Sequence, residues 1–285
     1  TGYADEVIIE DYLGQKIDDI QKYDVDIFAI GSDWVGKFDY LNEYCKVVYL
    51  PRTEGISSTM LRAESQDTYK IGVIGSGRIA NRFVPETKVV NGAEVVAVLN
   101  PDHDEADAFA KKHDLDAYAD FDAFIEKVDV VYIASPHLTH YDYIKSSLMA
   151  GKHVLCEIPF TLKKEEALEL YRLAEEKDLV LMEASKTAYC PAFGHIVTLI
   201  KSGIIGDVVD VKASLSKMVE PPTRELDTEQ AGGAMTEHAP LTVMAIIKLL
   251  SLEWKDVNFH TKKENGVDIY TKVRDCAMKY KSSFQ

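Results

Sequence analysis

Two short constellations in this chain combine glycine, hydroxyl and cationic residues in ways that suit phosphate groups. The first is Gly75-Ser76-Gly77-Arg78-Ile79-Ala80, which directly follows the apolar run Lys70 to Ile74 and opens a helical pattern. In such a turn Gly75 permits the tight bend and Gly77 lets the backbone approach a pyrophosphate. Ala80 keeps helix and strand close, and the helix N-terminus offers free N–H groups to the anion. Placed strand–turn–helix at the head of an alternating series, the pattern predicts a dinucleotide site on Gly75, Ser76, Gly77, Arg78 and Ile79. The second is Arg52-Thr53-Glu54-Gly55-Ile56-Ser57-Ser58-Thr59, a cation followed by a glycine turn and three hydroxyls. It suits a triphosphate, with charge from Arg52 and donors from the turn. A helix cap at Ser57 accounts for it equally.

The ribose of a dinucleotide should lie at the end of the strand Val95 to Leu99, where an acid suits NAD and an arginine suits NADP. The chain has Asn100-Pro101-Asp102 there. Asn100 can hydrogen-bond a hydroxyl without charge, and Asp102 is free to turn away. NAD and NADP both stay open, with a lean to NAD because no cation waits for a 2′-phosphate.

These turns need elements to hold them, and the hydrophobic periodicity supplies an alternating series. Up to about Arg62 there is a helical stripe over Asp11 to Tyr23, then short apolar strands at Asp26 to Ile30 and Lys46 to Leu50. A second segment alternates strands (Lys70 to Ile74, Glu94 to Leu99, Asp129 to Ala134, His153 to Cys156, Val180 to Glu183) with helices. Those helices are Arg78 to Val84, Asp104 to His113, Phe121 to Lys127, Thr139 to Ala150 and Lys163 to Lys177. Such alternation implies βαβ units and a parallel sheet covered on both faces. The remainder reads as a helix (Ala192 to Lys201), a strand (Val208 to Ser214), a helix (Met235 to Leu250) and strands near the end.

The fold expected is therefore α/β. It comprises a partial nucleotidyltransferase-like α/β module (1–64), a linker (65–68), a doubly wound dinucleotide-binding Rossmann domain (69–187) and an incomplete α+β domain (188–285).

The 285 residues carry 32 Lys+Arg against 47 Asp+Glu, a net charge of −15, with 46% hydrophobic and 28% charged residues. This composition excludes wholesale disorder, and the acidity argues against nucleic-acid partners. No apolar run approaches the roughly 18 residues of a membrane span, so no membrane insertion is expected. Cys45, Cys156, Cys190 and Cys276 form no C-x-x-C pair, so neither a metal site nor a disulfide framework is expected, and a cytoplasmic location is the default. No signal peptide is visible, and the first residues are expected to lie inside a domain.

Residues 69–285 resemble the Gfo/Idh/MocA oxidoreductases. The resemblance rests on Gly75 to Ala80, Ala134-Ser135-Pro136-His137-Leu138-Thr139-His140, Ala150-Gly151-Lys152-His153-Val154-Leu155-Cys156-Glu157 and Ala231-Gly232-Gly233-Ala234-Met235. It implies that Ser135, Pro136, His140, Glu157 and Pro159 border the nicotinamide; a surface role for His140 at a helix N-terminus is the alternative. It also implies a homo-oligomer built through the C-terminal sheet. Residues 3–62 resemble the C-terminal half of glycerol-3-phosphate cytidylyltransferase, which implies CTP contacts at Asp33, Trp34, Arg52, Thr53, Gly55, Ile56, Ser57 and Ser58. That family's His-x-Gly-His motif is absent, since His103 is the first histidine of the chain.

Two departures bear on catalysis. The family's Glu-Lys-Pro is Glu157-Ile158-Pro159 here, and the His or Tyr after the family's acid aligns with Leu241, Glu237 being the acid. Hydride transfer at an alcohol carbon needs a group that moves the hydroxyl proton. Lys186 and His238 are the nearby catalytic candidates. The plainer alternatives are a solvent-facing strand end for Lys186 and a helix cap for His238. The reading is an NAD(P)-dependent oxidoreductase of a sugar, polyol or sugar phosphate, fused to a cytidylyltransferase module that would take CTP. A cytidylyltransferase carrying a non-catalytic dinucleotide binder is the alternative.

Overall fold

The computed structural model describes residues 8, 15–51, 68–206, 208, 210–250 and 257–274. In its first part, helix α1 (Gln15–Lys22) precedes strands β1 (Ile27–Gly31) and β2 (Lys46–Leu50), which pair in parallel. Leu41 is fully buried here, and the Phe38 ring packs tilted against Phe28 and Trp34. The Tyr49 hydroxyl receives the Phe38 N–H and donates to Asp39 Oδ1 at 2.7 Å, tying β2 to the intervening loop.

The centre is a six-stranded parallel sheet of order β5-β4-β3-β6-β7-β8. Its strands are β3 (Tyr69–Ile74), β4 (Ala93–Leu99), β5 (Asp116–Tyr118), β6 (Val130–Ile133), β7 (His153–Cys156) and β8 (Leu181–Glu183). Five helices connect them: α2 (Arg78–Thr87), α3 (His103–His113), α4 (Phe121–Ile125), α5 (His140–Met149) and α6 (Lys164–Glu176). The alternation along β3 shows how the sheet is sandwiched. Ile71 and Val73 pack with Ala80, Val84, Phe109 and Ala110 of α2 and α3. Ile74 points the other way, among Phe124, Ile144, Leu148 and Leu170 of α4, α5 and α6. Both faces are dry, which is why the strands read as continuous apolar runs. Gly72 has no side chain because the Phe124 ring and Val128 occupy the space a Cβ would need.

Helix ends follow local chemistry. Asp102 caps α3 by accepting the Glu105 N–H; Asp104 and Glu105 occupy its first turn, and Lys111, Lys112 and His113 its last, all complementing the helix dipole. Asp120 caps α4 in the same way, accepting the Ala123 N–H at 2.9 Å.

Beyond the sheet lie α7 (Lys186–Tyr189), α8 (Pro191–Lys201), α9 (Ala234–Leu249) and an antiparallel hairpin of β9 (Asn258–Glu264) and β10 (Val267–Arg274). Asn265 and Gly266, at φ 49° and 85°, make its turn.

Two sequence expectations are corrected. Residues 210–214 form no strand: among the described residues β9 and β10 pair only with each other, so an extended segment there has no ladder to join. The strand β5, only three residues long, was not expected; it exists because Ala97, Val98 and Leu99 offer it a register on β4.

Candidate functional site

The chain leaves β3 through β4 and β5, then returns to place β6 on the other side of β3. The C-terminal ends of β3 and β6 therefore flank a crevice, where open α/β sheets take ligands. Gly75 sits at its base with φ 100°, its N–H bonded to Leu99 O at 2.9 Å. A Cβ on it would stand 2.7 Å from the Ala134 carbonyl oxygen, so the turn is wedged against the end of β6. Gly77 is the opposite case. It is the N-cap of α2, no side chain caps that helix, and a Cβ on Gly77 would meet nothing within 4 Å. The start of α2 is thus uncapped and has open space beside Gly77, while buried Ala80 holds the helix against the sheet. Arg78 stands exposed at the start of α2, and Ile79 packs at the edge of the core.

Asn81, absent from the sequence expectations, locks this turn. Its amide donates to the carbonyls of Ser76 (2.9 Å) and Gly77 (3.1 Å), and its Oδ1 receives Lys112 Nζ at 2.7 Å. Nothing in local spacing marks it, because Lys112 lies two elements later. Asn100 stands where expected, at the end of β4, and its amide donates to Ser76 Oγ and to Glu105 Oε2, both at 2.8 Å. Ser76 Oγ itself lies 3.0 Å from that carboxylate oxygen. Asp102 is turned away, its carboxylate spent on capping α3.

At the far side of the crevice, Ser135 and Pro136 lead from β6 into the turn before α5, and Ser135 Oγ lies 2.7 Å from Thr139 Oγ1. His140 is not a surface residue. Only 1% of it is accessible, with Nδ1 2.9 Å from Pro159 O and Nε2 2.9 Å from Ser135 O. It acts as a clamp between the Ser135 turn and Pro159. Burial pushes it below the ordinary histidine range, against the pull of both carbonyls, and a neutral ring donates to only one of them.

Glu157, at the end of β7, accepts the Tyr132 hydroxyl at 2.6 Å, and Tyr132 stacks on Phe83 with ring centroids 3.7 Å apart. Burial, then the Glu157 carboxylate, drives the Tyr132 phenol well above its ordinary value. On the neighbouring strand Glu183 accepts the Phe160 N–H at 3.2 Å, and burial holds its carboxyl above the ordinary range. Ile158 between Glu157 and Pro159 is half-buried, and its side chain has no proton to transfer.

Lys186 is exposed at the first residue of α7, and among the described residues no hydrogen bond or ion pair joins it to Glu157 or to His238. His238 lies in the second turn of α9 and does not cap it. Gly233 is the N-cap, and Asp268 of β10 accepts the Met235 N–H at 2.9 Å.

A cluster that sequence reasoning missed lies instead at His137. Arg224 binds Glu237 through two bonds, at 2.7 and 3.1 Å, and donates to His137 Nδ1 at 3.2 Å. These residues come from three separate elements, so only Glu237 was marked in advance. Burial, followed by the Arg224 charge, pushes His137 down to about 4, Glu237 pulling the other way.

The folded chain therefore binds a proton at His137 less readily than the unfolded one. This part of its stability is complete above about pH 6.5 and is lost as the pH falls from there to about 4. Unfolding curves across that range should show His137→Gln with a shallower pH dependence than the parent, the difference amounting to at most about 1.4 kcal/mol per pH unit.

Of the expected CTP contacts, Asp33 and Trp34 lie exposed in a single helical turn after β1, with Lys37 Nζ 5.0 Å from the Trp34 ring centroid. Arg52, Thr53, Gly55, Ile56, Ser57 and Ser58 lie outside the described residues.

Comparison with known proteins bears on the fold and on the stretch that carries the glycine turn. Residues 69–185 match the Gfo/Idh/MocA profile, described as the oxidoreductase family with an NAD-binding Rossmann fold. The trans-1,2-dihydrobenzene-1,2-diol dehydrogenase of Xenopus laevis is 31% identical over 173 residues, 59% of this chain and 52% of that protein. A second match is confined to a short stretch: the glycerol-3-phosphate cytidylyltransferase of Bacillus spizizenii is 60% identical over 61 residues, 21% of this chain and 47% of that protein. The chain thus spans about half the length of the curated relatives it matches. Among solved structures, the 3-ketoreductase KijD10 of Actinomadura kijaniata, in complex with TDP-benzene and NADP in an open conformation, superposes with a TM-score of 0.64. It is 26% identical, the alignment covering 73% of this chain and 65% of that one. The similarity to the Gfo/Idh/MocA oxidoreductases, a family with an NAD-binding Rossmann fold, thus lies in residues 69–185.

Proposed function

We propose that this chain binds NAD(H) or NADP(H) at the Gly75–Ile79 turn and belongs to an enzyme that oxidises or reduces a sugar, polyol or sugar phosphate. On this reading 69–187 is the dinucleotide domain, 188–285 part of a substrate domain, and 1–64 part of a cytidylyltransferase module that takes CTP when complete. The observation that carries it is the contrast between the two glycines. Gly75 is wedged on Ala134 and fixes the bend, whereas Gly77 leaves the uncapped start of α2 open to an anion. A pyrophosphate fits that cradle, and the nicotinamide end would fall toward Ser135, Pro136 and Glu157. When bound, the nicotinamide supplies or accepts the hydride. The chain's own work is to orient it: His140 holds the Ser135 turn and Pro159 at a fixed spacing, and Tyr132 fixes the Glu157 carboxylate.

A second reading is favoured by one observation. Ile158 cannot move a proton, and Lys186 is not joined to Glu157. This gives a module that binds dinucleotide without turnover. Titration with NADH and NADPH, followed by cofactor oxidation with keto-sugars and their phosphates, tests the first reading, and silence to both coenzymes removes it. If Ile158 is what silences the site, Ile158→Lys should raise redox turnover about 10²-fold or more. Binding without turnover in either protein leaves the second reading standing.

A further inference from the structure

We infer that Glu105 makes this site selective for NAD(H) over NADP(H). The inference rests on the dinucleotide reading of the glycine turn and concerns which coenzyme that turn takes. The adenosine ribose of a dinucleotide bound there lies between the turn and the end of β4. At that position the chain offers an uncharged amide, Asn100, but a carboxylate reaches the same spot from α3. Glu105 Oε2 stands 2.8 Å from Asn100 Nδ2 and 3.0 Å from Ser76 Oγ, so one acid lies against both the turn and the strand end. Its position is set from two sides. Its backbone N–H is held by Asp102 Oδ1 at 3.1 Å, and the Asp102 N–H is in turn held by Asn100 Oδ1 at 3.0 Å.

A carboxylate in this place accepts hydrogen bonds from the ribose hydroxyls. A phosphate monoester carries about −1.5 to −2 charge near neutral pH, and Glu105 would repel it at close range. Among the described residues no ion pair joins a cation to the acid. Lys112 on the same helix donates to Asn81 instead, and among the described residues no hydrogen bond or ion pair joins Arg78 to Glu105. The residue escapes a sequence pattern because it sits five positions past Asn100, on the following helix. The preference set by Glu105 is opposite to the NADP found with KijD10.

The test is calorimetric titration of the full chain and of Glu105→Gln with NADH and NADPH, at low and moderate salt. Glutamine retains acceptors for Asn100 and Ser76 while removing the charge, and equal thermal midpoints would establish that the fold is unchanged. The parent should bind NADH at least tenfold more tightly than NADPH. In Glu105→Gln that ratio should shrink tenfold or more, chiefly by tighter NADPH binding, and salt should narrow the parent's ratio but not the variant's. Equal affinities in the parent, or an unchanged ratio in the variant, would overturn the assignment of Glu105 while leaving the dinucleotide site in place. Absence of heat and of fluorescence change with both coenzymes overturns the dinucleotide reading and Glu105's role together.

Discussion

Gly75→Ala is expected to lower the thermal midpoint by about 5–10 °C and to abolish measurable coenzyme binding. Two costs combine. A non-glycine residue at φ 100° carries backbone strain of about 1–3 kcal/mol, and the added methyl would meet the Ala134 carbonyl oxygen at 2.7 Å. That neighbour is backbone at the end of a central strand and cannot rotate away. For a chain of this size each kcal/mol moves the midpoint by about 2–4 °C. Gly77→Ala is the matched control. Its φ is −68° and its Cβ meets nothing within 4 Å, so the fold should keep its midpoint while coenzyme affinity drops at least tenfold. Thermal scans and NADH titrations on both proteins check this. An unchanged midpoint in Gly75→Ala would mean that the turn is not wedged.

The second large effect is expected at Arg224. Removing its guanidinium leaves the Glu237 carboxylate, only 13% exposed, beside His137 without its bidentate partner. Breaking a buried pair from one side costs about 3–5 kcal/mol. Arg224 is itself 29% exposed, so Arg224→Met should cost less than this, about 2–3 kcal/mol by denaturant unfolding. The same variant should raise the His137 pKa from about 4, because a repelling cation is gone while Glu237 still favours the imidazolium. Glu237→Gln should push it the other way. Titration of the His137 ring protons by NMR separates these outcomes. A His137 that titrates identically in all three proteins would show that the cluster is not electrostatically linked.

What could be read from the sequence, and what could not, divides along the reach of each interaction. The strand–turn–helix at Gly75 was legible because all its parts are contiguous: an apolar strand, two glycines with distinct duties, and a small residue one turn into the helix. The succession of strands and helices along the chain followed from short apolar runs alternating with stretches of period 3.6. Strand β5 escaped because three residues carry no period, and the segment 210–214 was misread because alternation signals a strand only where a neighbour receives its ladder. His140 was anticipated at the right place, but its burial was not, since nothing local reveals that its ring nitrogens face two carbonyls. Asn81 with Lys112, and His137 with Arg224 and Glu237, were beyond reach: the partners lie 31, 87 and 13 residues apart, and only the fold brings them together.

The carboxylate of Asp268 has a bearing on how the chain is made. It receives the Met235 N–H across 33 residues of sequence and also accepts the Thr271 hydroxyl. The opening turn of α9 therefore waits, during synthesis, for a residue that leaves the ribosome long after the helix itself. Until the hairpin arrives the Met235 N–H lacks this acceptor, so a later segment completes the start of an earlier helix.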